Sequence, residues 1–161
     1  MTRLQKFQQQ FERVKRFYEL FRKIDEGVPI NFPTNYLEDI VYSFFIFCYH
    51  LKDWIINDDT VEMSEKEVEN FINQNECLTI CANLCNGIKH YKLRSKHGRH
   101  ELGGEFKTKK VYAEYAGGTS LNIRIKFNIL TPTKDIDAFK LATECLQKWE
   151  EFIKGNIEKN I

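Results

Sequence analysis

The segment between residues 36 and 56 is apolar around most of a helical circumference, and this property limits the folds open to the chain. A helix formed here has no continuous polar face to turn toward water, so it is stable only when other elements surround it. The sequence therefore predicts a helical bundle with this helix at its centre and with Asn35 as its N-cap. The apolar residues are Leu37, Ile40, Val41, Phe44, Phe45, Phe47, Cys48, Leu51, Trp54 and Ile55.

Two further helices are indicated on either side of this segment. At the start of the chain, apolar residues recur at intervals of three and four, which predicts a helix that ends at Gly27. Residues 28–34 contain two prolines and are expected to form a loop. Ser64, with Glu67 three residues later, is a capping box and predicts a short helix.

Three of the five cysteines lie on one helical stripe. Cys77, Cys81 and Cys85 are spaced four residues apart in a helix expected over about 76–92 and capped by Asn75. This spacing spreads the three thiols over about 12 Å of helix axis, too far for one tetrahedral ion. We therefore expect buried cysteines, with no metal and no cofactor.

The period of the pattern changes from helical to alternating after residue 108. The sequence predicts an antiparallel β-hairpin over about 109–130, with Gly117 and Gly118 at its turn and a basic-polar outer face. A last helix is expected to begin at a cap provided by Thr133 or Asp135. The apolar positions of the second strand are Leu121, Ile123, Ile125, Phe127 and Ile129.

These elements predict a mainly α (α+β) fold: a bundle of about five helices with one hairpin before the last helix. A chain of 161 residues is long enough for a single domain, which we place over residues 1–161. A lone hairpin is marginal in water and must pack on the bundle or pair with a second chain. We therefore expect a homodimer.

The first ten residues lack the apolar stretch of a signal peptide, and the longest apolar run is too short to span a bilayer. We expect a cytoplasmic protein with free thiols and no membrane contact.

Charge is distributed unevenly along the chain. The formal net charge of +1 excludes a uniformly basic nucleic-acid binder. Residues 89–110, however, hold eight Lys/Arg and three His against two Glu, whereas residues 53–76 hold eight Asp/Glu against one Lys. The basic stretch predicts a surface that binds nucleic acid, RNA more than DNA, or a protein or nucleoprotein partner. The alternative is a solvent-exposed face whose positive charge balances the negative charge of residues 53–76. Its members are Lys92, Arg94, Lys96, Arg99, Lys107, Lys109, Lys110, Arg124 and Lys126.

Two short strings, HLKDW (50–54) and NGIKH (86–90), place polar residues on apolar helices. His50 and Asp53 share one helical face, as do Asn86 and His90, with Lys89 beside them. Unpaired polar groups in such a setting cost about 1–3 kcal/mol each, so we expect these side chains to meet in one polar cluster. The cluster is interpreted as a structural network, a general acid–base pair or a ligand site.

The strings HLKDW and CNGIKH, with Trp-Glu-Glu-Phe late in the chain, resemble a class of small helical bacterial proteins that has no assigned activity. The resemblance covers about residues 35–155.

The chain is also similar to the HEPN superfamily, helical bundles of toxin–antitoxin and phage-defence systems, many of them metal-independent RNases. Arg94 and His100, with five residues between them, match the spacing of the family's motif. The resemblance implies that Arg94 holds the scissile phosphate and His100 acts as base or acid at the 2′-hydroxyl. Ser95 and Gly98 depart from the family pattern, which places the motif on a helix.

From these features we expect a small bacterial module that binds nucleic acid or a nucleoprotein partner through the basic loop and hairpin, in a phage-defence or mobile-element system. The alternatives are a HEPN-like endoribonuclease and a non-catalytic dimeric accessory subunit of a larger enzyme, such as an RNA-guided (CRISPR) nuclease. We expect a binding protein rather than an enzyme.

Overall fold

A computed structural model describes residues 5–29, 31–90, 104–115 and 121–157, without the side chains of residues 89, 90, 107, 108 and 115. The predicted mainly α fold with a small antiparallel sheet is confirmed. The helices are α1 (Lys6–Glu26), α2 (Thr34–Ile56), α3 (Glu65–Gln74), α4 (Glu76–His90) and α5 (Ala138–Phe152), which a π-helical turn (Ile153–Ile157) follows. The strands are β1 (Val28–Pro29), β2 (Glu105–Tyr115), β3 (Leu121–Leu130) and β4 (Asp135–Asp137).

The central position predicted for α2 is confirmed, since it contacts each of the other four helices. Phe44 and Phe45 are fully buried on it, and Phe21 of α1 packs against both rings. The prediction of Asn35 as N-cap is wrong. Pro33 precedes the first helical residue instead, and it can do so because a helix start leaves its first N–H groups unpaired anyway. Asn35 lies inside the first turn.

The start of α1 is fastened by a carboxylate from the loop after α2. Asp58 is only 3% exposed, and its Oδ2 accepts a hydrogen bond of 3.0 Å from the backbone N–H of Phe7. The backbone N–H and hydroxyl of Thr60 donate to its other oxygen. Asp58 thus satisfies one of the N–H groups that a helix start leaves unpaired, from a position 51 residues away along the chain.

The capping box predicted for α3 is confirmed: Ser64 Oγ accepts from Glu67 N–H, and Glu67 Oε2 accepts from Ser64 N–H. Asn75 stands directly before α4 as predicted, but its side chain bonds to the helix before it. Its side chain donates to the carbonyl of Phe71 at the end of α3, and its own carbonyl accepts the first backbone bonds of α4.

The predicted loop at 28–34 begins with a short strand. Gly27 ends α1 with φ 124, a conformation that favours glycine, and turns the chain so that Val28 and Pro29 pair with Ile123 and Asn122 of β3. Proline is acceptable there because β1 is an outer strand of the sheet.

The sheet has the order β1-β3-β2, and β4 also pairs with β3. The alternation predicted for β3 is confirmed: Ile123, Ile125, Phe127 and Ile129 are buried, and β3 packs on α1 and α5. The glycine turn at residues 117 and 118 lies outside the described residues.

The predicted cap of the last helix is wrong at both candidates. Thr133 lies in the bend between β3 and β4, and residues 135–137 pair with residues 128–130 of β3, so the chain is still extended at Asp135. The N-cap is Asp137, whose Oδ1 accepts from Lys140 N–H at 2.9 Å. Within the described ranges, no helix has the length and apolar character needed to cross a membrane.

Candidate functional site

The structure brings together part of the expected polar cluster where α2 packs on α4. His50 Nδ1 and Asp53 Oδ2 lie 2.8 Å apart, and both side chains are about half exposed. Asn86 is half-buried on α4. The side chains of Lys89 and His90 lie outside the described residues, so their membership of the cluster stays a prediction.

The second ring nitrogen of His50 faces a thiol that the helical pattern assigns to the core. Cys85 Sγ lies 3.8 Å from His50 Nε2, and Cys85 is 4% exposed. Thiol, imidazole and carboxylate thus follow one another in the order in which a base activates a nucleophile and an acid orients the base. The backbone amides beside Cys85 are committed to the hydrogen bonds of α4, so they provide no oxyanion-binding pair. The geometry fits a reactive thiol rather than acyl transfer.

Asp53 also contacts a lysine, Lys52. Its Nζ lies 3.1 Å from Asp53 Oδ1 and 3.0 Å from Glu69 Oε1 on α3. Burial by itself lowers the pKa of Lys52, but the hydrogen bond to Glu69, with Tyr49 and Asp53 nearby, raises it overall. Lys52 therefore stays charged and ties α2 to α3.

Two cations of the expected basic surface point toward the bundle instead of outward. Lys109 of β2 pairs with Glu38 of α2, and Lys126 Nζ of β3 lies 2.5 Å from Asp25 Oδ1 on α1. Asp137 is a second neighbour of Lys126, at 3.8 Å. These pairs fasten the hairpin to the helices and neutralise the charges that would attract phosphate.

The other two described cations of this surface differ from each other. Arg124 lies 3.8 Å from Glu114 and stacks over the ring of Tyr112 at 5.7 Å. Lys110 makes no ion pair with any described residue, and it stands opposite Lys126 in the sheet. Lys110 is thus the one described cation of the hairpin whose charge is left unbalanced. The remaining expected residues, Lys92, Arg94, Lys96, Arg99, His100 and the side chain of Lys107, lie outside the described residues.

Strand β2 forms an edge of the sheet. It pairs with β3 along its length, and within residues 5–29, 31–90, 104–115 and 121–157 nothing pairs with its other side. Every residue from 109 to 114 is exposed, including Val111 at 49% and Tyr112 at 42%. An edge of this kind offers a row of unpaired N–H and C=O groups to another strand.

Three cysteines from three helices meet in the core. The Sγ atoms of Cys48 (α2), Cys81 (α4) and Cys145 (α5) all lie within 4.8 Å of one another, and the residues are 0–1% exposed. The spacing that speaks against a metal site concerns only the stripe on α4, which includes Cys77 and Cys85. The sequence places Cys48 and Cys145 on apolar helix faces, but it contains no signal for the relative register of the helices.

Each thiol of this cluster can donate only one hydrogen bond. The thiol of Cys145 donates to the carbonyl of Cys77 at 3.3 Å, and burial raises its pKa well above the usual value. The thiol of Cys81 donates to the carbonyl of Phe45 at 3.5 Å. Each thiol has one proton, so neither can donate to Cys48 while it holds its carbonyl.

Comparison with protein-family models, curated proteins and solved structures finds no match to this chain. The resemblances to the HLKDW-containing class and to the HEPN superfamily therefore stay predictions.

Proposed function

We propose that this chain is a protein-binding module that works as a homodimer, joined through the open edge of β2. The single observation that carries the proposal is the eleven-residue edge strand, with Val111 and Tyr112 exposed at its middle. Edge strands in monomeric proteins are commonly short or covered, because a long open edge recruits other strands. Pairing here would satisfy the open backbone groups and cover the exposed apolar side chains.

The side chains of β2 are complementary to a second copy of the same strand. A two-fold axis through Tyr112 places Lys110 opposite Glu114 in both halves of an antiparallel pair, and Val111 opposite Ala113. Opposite charges in such cross-strand positions contribute about 0.2–1 kcal/mol each. Lys110, which pairs with no described carboxylate of its own chain, thus gains Glu114 of the second copy as a partner. Glu114, which lies 3.8 Å from Arg124 in its own chain, then has two cationic neighbours.

This assembly fits a non-catalytic accessory subunit better than a nucleic-acid binder. Of the four described cations on the expected basic surface, Lys109, Arg124 and Lys126 already have carboxylate neighbours within the chain. An anionic nucleic acid would have to displace those carboxylates, whereas a second β2 strand uses the free cation and the free edge. Binding of RNA by the whole 89–126 surface stays a prediction.

A charge swap tests the proposal. Lys110→Glu places like charges opposite one another, and we expect it to weaken the dimer at least several-fold in sedimentation equilibrium. The double variant Lys110→Glu/Glu114→Lys restores opposite charges and should restore dimerisation. Lys66→Glu, the same charge change at an exposed position on α3, is the matched control and should leave it unchanged.

A wild-type chain that stays monomeric at about 100 μM, or a Lys110→Glu variant as dimeric as the wild type, would contradict the proposal. A monomeric chain that binds single-stranded RNA, with affinity falling steeply as salt rises, would replace it by the nucleic-acid function.

The HEPN-like RNase alternative has its own test, since Arg94 and His100 lie outside the described residues. If it is correct, the wild-type chain should cleave RNA without a metal ion, and His100→Ala should abolish the cleavage.

A further inference from the structure

We propose that Cys48, Cys81 and Cys145 together bind one thiophilic metal ion, with monovalent copper preferred over zinc. The site lies in the bundle core and is independent of the β2 edge, so either proposal can fail without the other. It would bind a soft metal ion, a class of ligand that suits neither the His50–Asp53 cluster nor the hairpin.

The distances suit a small ion bound by three sulfurs. An ion with metal–sulfur bonds of about 2.3 Å at the centre of a sulfur triangle needs sulfur–sulfur distances of about 4 Å. The three Sγ atoms already lie within 4.8 Å of one another, so small side-chain rotations close the triangle. The helices themselves need not move, because each thiol comes from a different helix and turns about its own χ1.

The donor set favours a soft ion of low coordination number. Cys48, Cys81 and Cys145 supply sulfur alone, and among the described residues no histidine or carboxylate joins the group. Soft thiolate ligands select Cu(I), zinc and iron–sulfur clusters. Structural zinc is almost always four-coordinate, and among the described residues this group supplies three ligands. Three thiolates and no fourth ligand therefore fit Cu(I) best.

A buried donor beside the cluster has no other assignment. Trp149 is fully buried, yet its indole Nε1 makes no hydrogen bond of normal geometry with any described residue. It lies beside Cys48 of the cluster. An unpaired buried N–H destabilises the folded chain. A metal-bound thiolate at Cys48 would accept from this N–H, and such donors around ligand atoms tune and stabilise metal sites.

A cavity lies next to the cluster on one side. It has a volume of about 300 Å³, Cys77 is on its wall, and four carboxylates and two lysines line it: Glu76, Asp135, Asp137, Glu144, Lys134 and Lys140. The backbone carbonyl of Cys77 accepts the hydrogen bond from the Cys145 thiol. The cavity wall at Cys77 is thus one hydrogen bond away from Cys145 of the cluster.

Binding exchanges protons for the ion: each coordinating Cys–SH loses its proton to solvent as its sulfur bonds the metal, and no electrons are transferred. The protons that Cys145 and Cys81 now share with backbone carbonyls are among those released.

The test is a competition titration under anaerobic, reducing conditions. We expect reduced wild-type protein to withdraw one equivalent of Cu(I) per chain from a chromogenic Cu(I) chelator, and to hold it at least 100-fold more tightly than Cys81→Ala or Cys48→Ala. Cys85→Ala, a buried thiol outside the cluster, is the matched control and should still bind one equivalent. At free Cu(I) 100 times the dissociation constant, the melting temperature should rise by about 5–10 °C.

Far-UV circular dichroism of each variant verifies that it is folded, and alanine at a small core thiol leaves the packing nearly intact. Failure to bind Cu(I), binding that survives both cluster variants, or binding lost in Cys85→Ala would overturn the proposal. Tight zinc binding that Cys77→Ala abolishes would replace it by a four-thiolate zinc site.

Discussion

Single residues far apart in sequence hold this fold together, and Asp58 is the clearest case. Its carboxylate joins the loop after α2 to the first turn of α1. Burial by itself raises the pKa of Asp58, but the hydrogen bonds from Phe7 and Thr60 outweigh it, so the pKa is lowered in the folded chain. Folding therefore favours the charged carboxylate, and protonation favours unfolding.

We expect Asp58→Asn to lower the free energy of unfolding by about 1–2 kcal/mol at pH 7, as loss of a helix cap does. The contribution of Asp58 is present above its unfolded pKa and is lost as pH falls through the lower folded value. The wild type should thus lose its advantage over Asp58→Asn as the pH falls below the ordinary pKa of an aspartate. Urea unfolding at several pH values measures this. Asp59→Asn, at an exposed neighbour, should cost less than about 0.5 kcal/mol.

The thiol of Cys85 provides a second residue-level prediction. If His50 accepts its proton, alkylation by iodoacetamide should be several-fold slower in His50→Ala than in the wild type, with Asp53→Asn in between. Peptide mass spectrometry follows the rate, and Cys77 in the same chain is the internal reference. An unchanged rate, with a lowered melting temperature in His50→Ala, would make the contact structural.

At the scale of elements, periodicity was sufficient to predict the five helices and the hairpin, because burial imposes its own period on each of them. The residues at which the helices begin were less predictable. Asn35 and Asp135 are good caps in isolation, but Pro33 and pairing of β4 with β3 decided where α2 and α5 begin. The candidate sites depend on contacts between elements. The pairing of Lys109 with Glu38 follows from helix and strand packing that no local pattern encodes.

Alanine substitutions at two glycines should change the stability of the fold in opposite directions. Gly27 ends α1 at φ 124, so Gly27→Ala should cost about 1–2 kcal/mol through backbone strain. Gly87 lies within α4, and a methyl group added at its Cα would meet no neighbouring atom within 4 Å, so Gly87→Ala should stabilise by up to about 1 kcal/mol. Thermal unfolding of the two variants beside the wild type measures both changes. Equal effects would contradict the assigned backbone geometry.

At the scale of the whole molecule, the hairpin is attached to the bundle by the core face of β3 and by the ion pairs of Lys109 and Lys126. The net charge of +1 already indicated that cations and carboxylates are nearly equal in number. The sequence did not indicate that ion pairs would form between the hairpin and the helices. The hairpin is therefore a rigid part of the body, and β2 extends from it as a fixed edge.

A dimer joined through β2 makes stability depend on protein concentration. We expect the melting temperature of the wild type to rise over a hundredfold increase in concentration, and that of Lys110→Glu to be lower at each concentration in that range. Differential scanning calorimetry at both ends of that range tests this. A wild-type melting temperature independent of concentration would contradict the dimer.

The arrangement around β3 limits how far such association can proceed. On the side away from β2, β1 and β4 occupy two and three residues of β3, so the sheet ends there in short strands. Within the described chain, one long side is left for growth, and joining two molecules uses it in both. Edge-to-edge addition through β2 would therefore stop at two molecules, and the dimer would leave no long open edge among the described strands from which a fibre could grow.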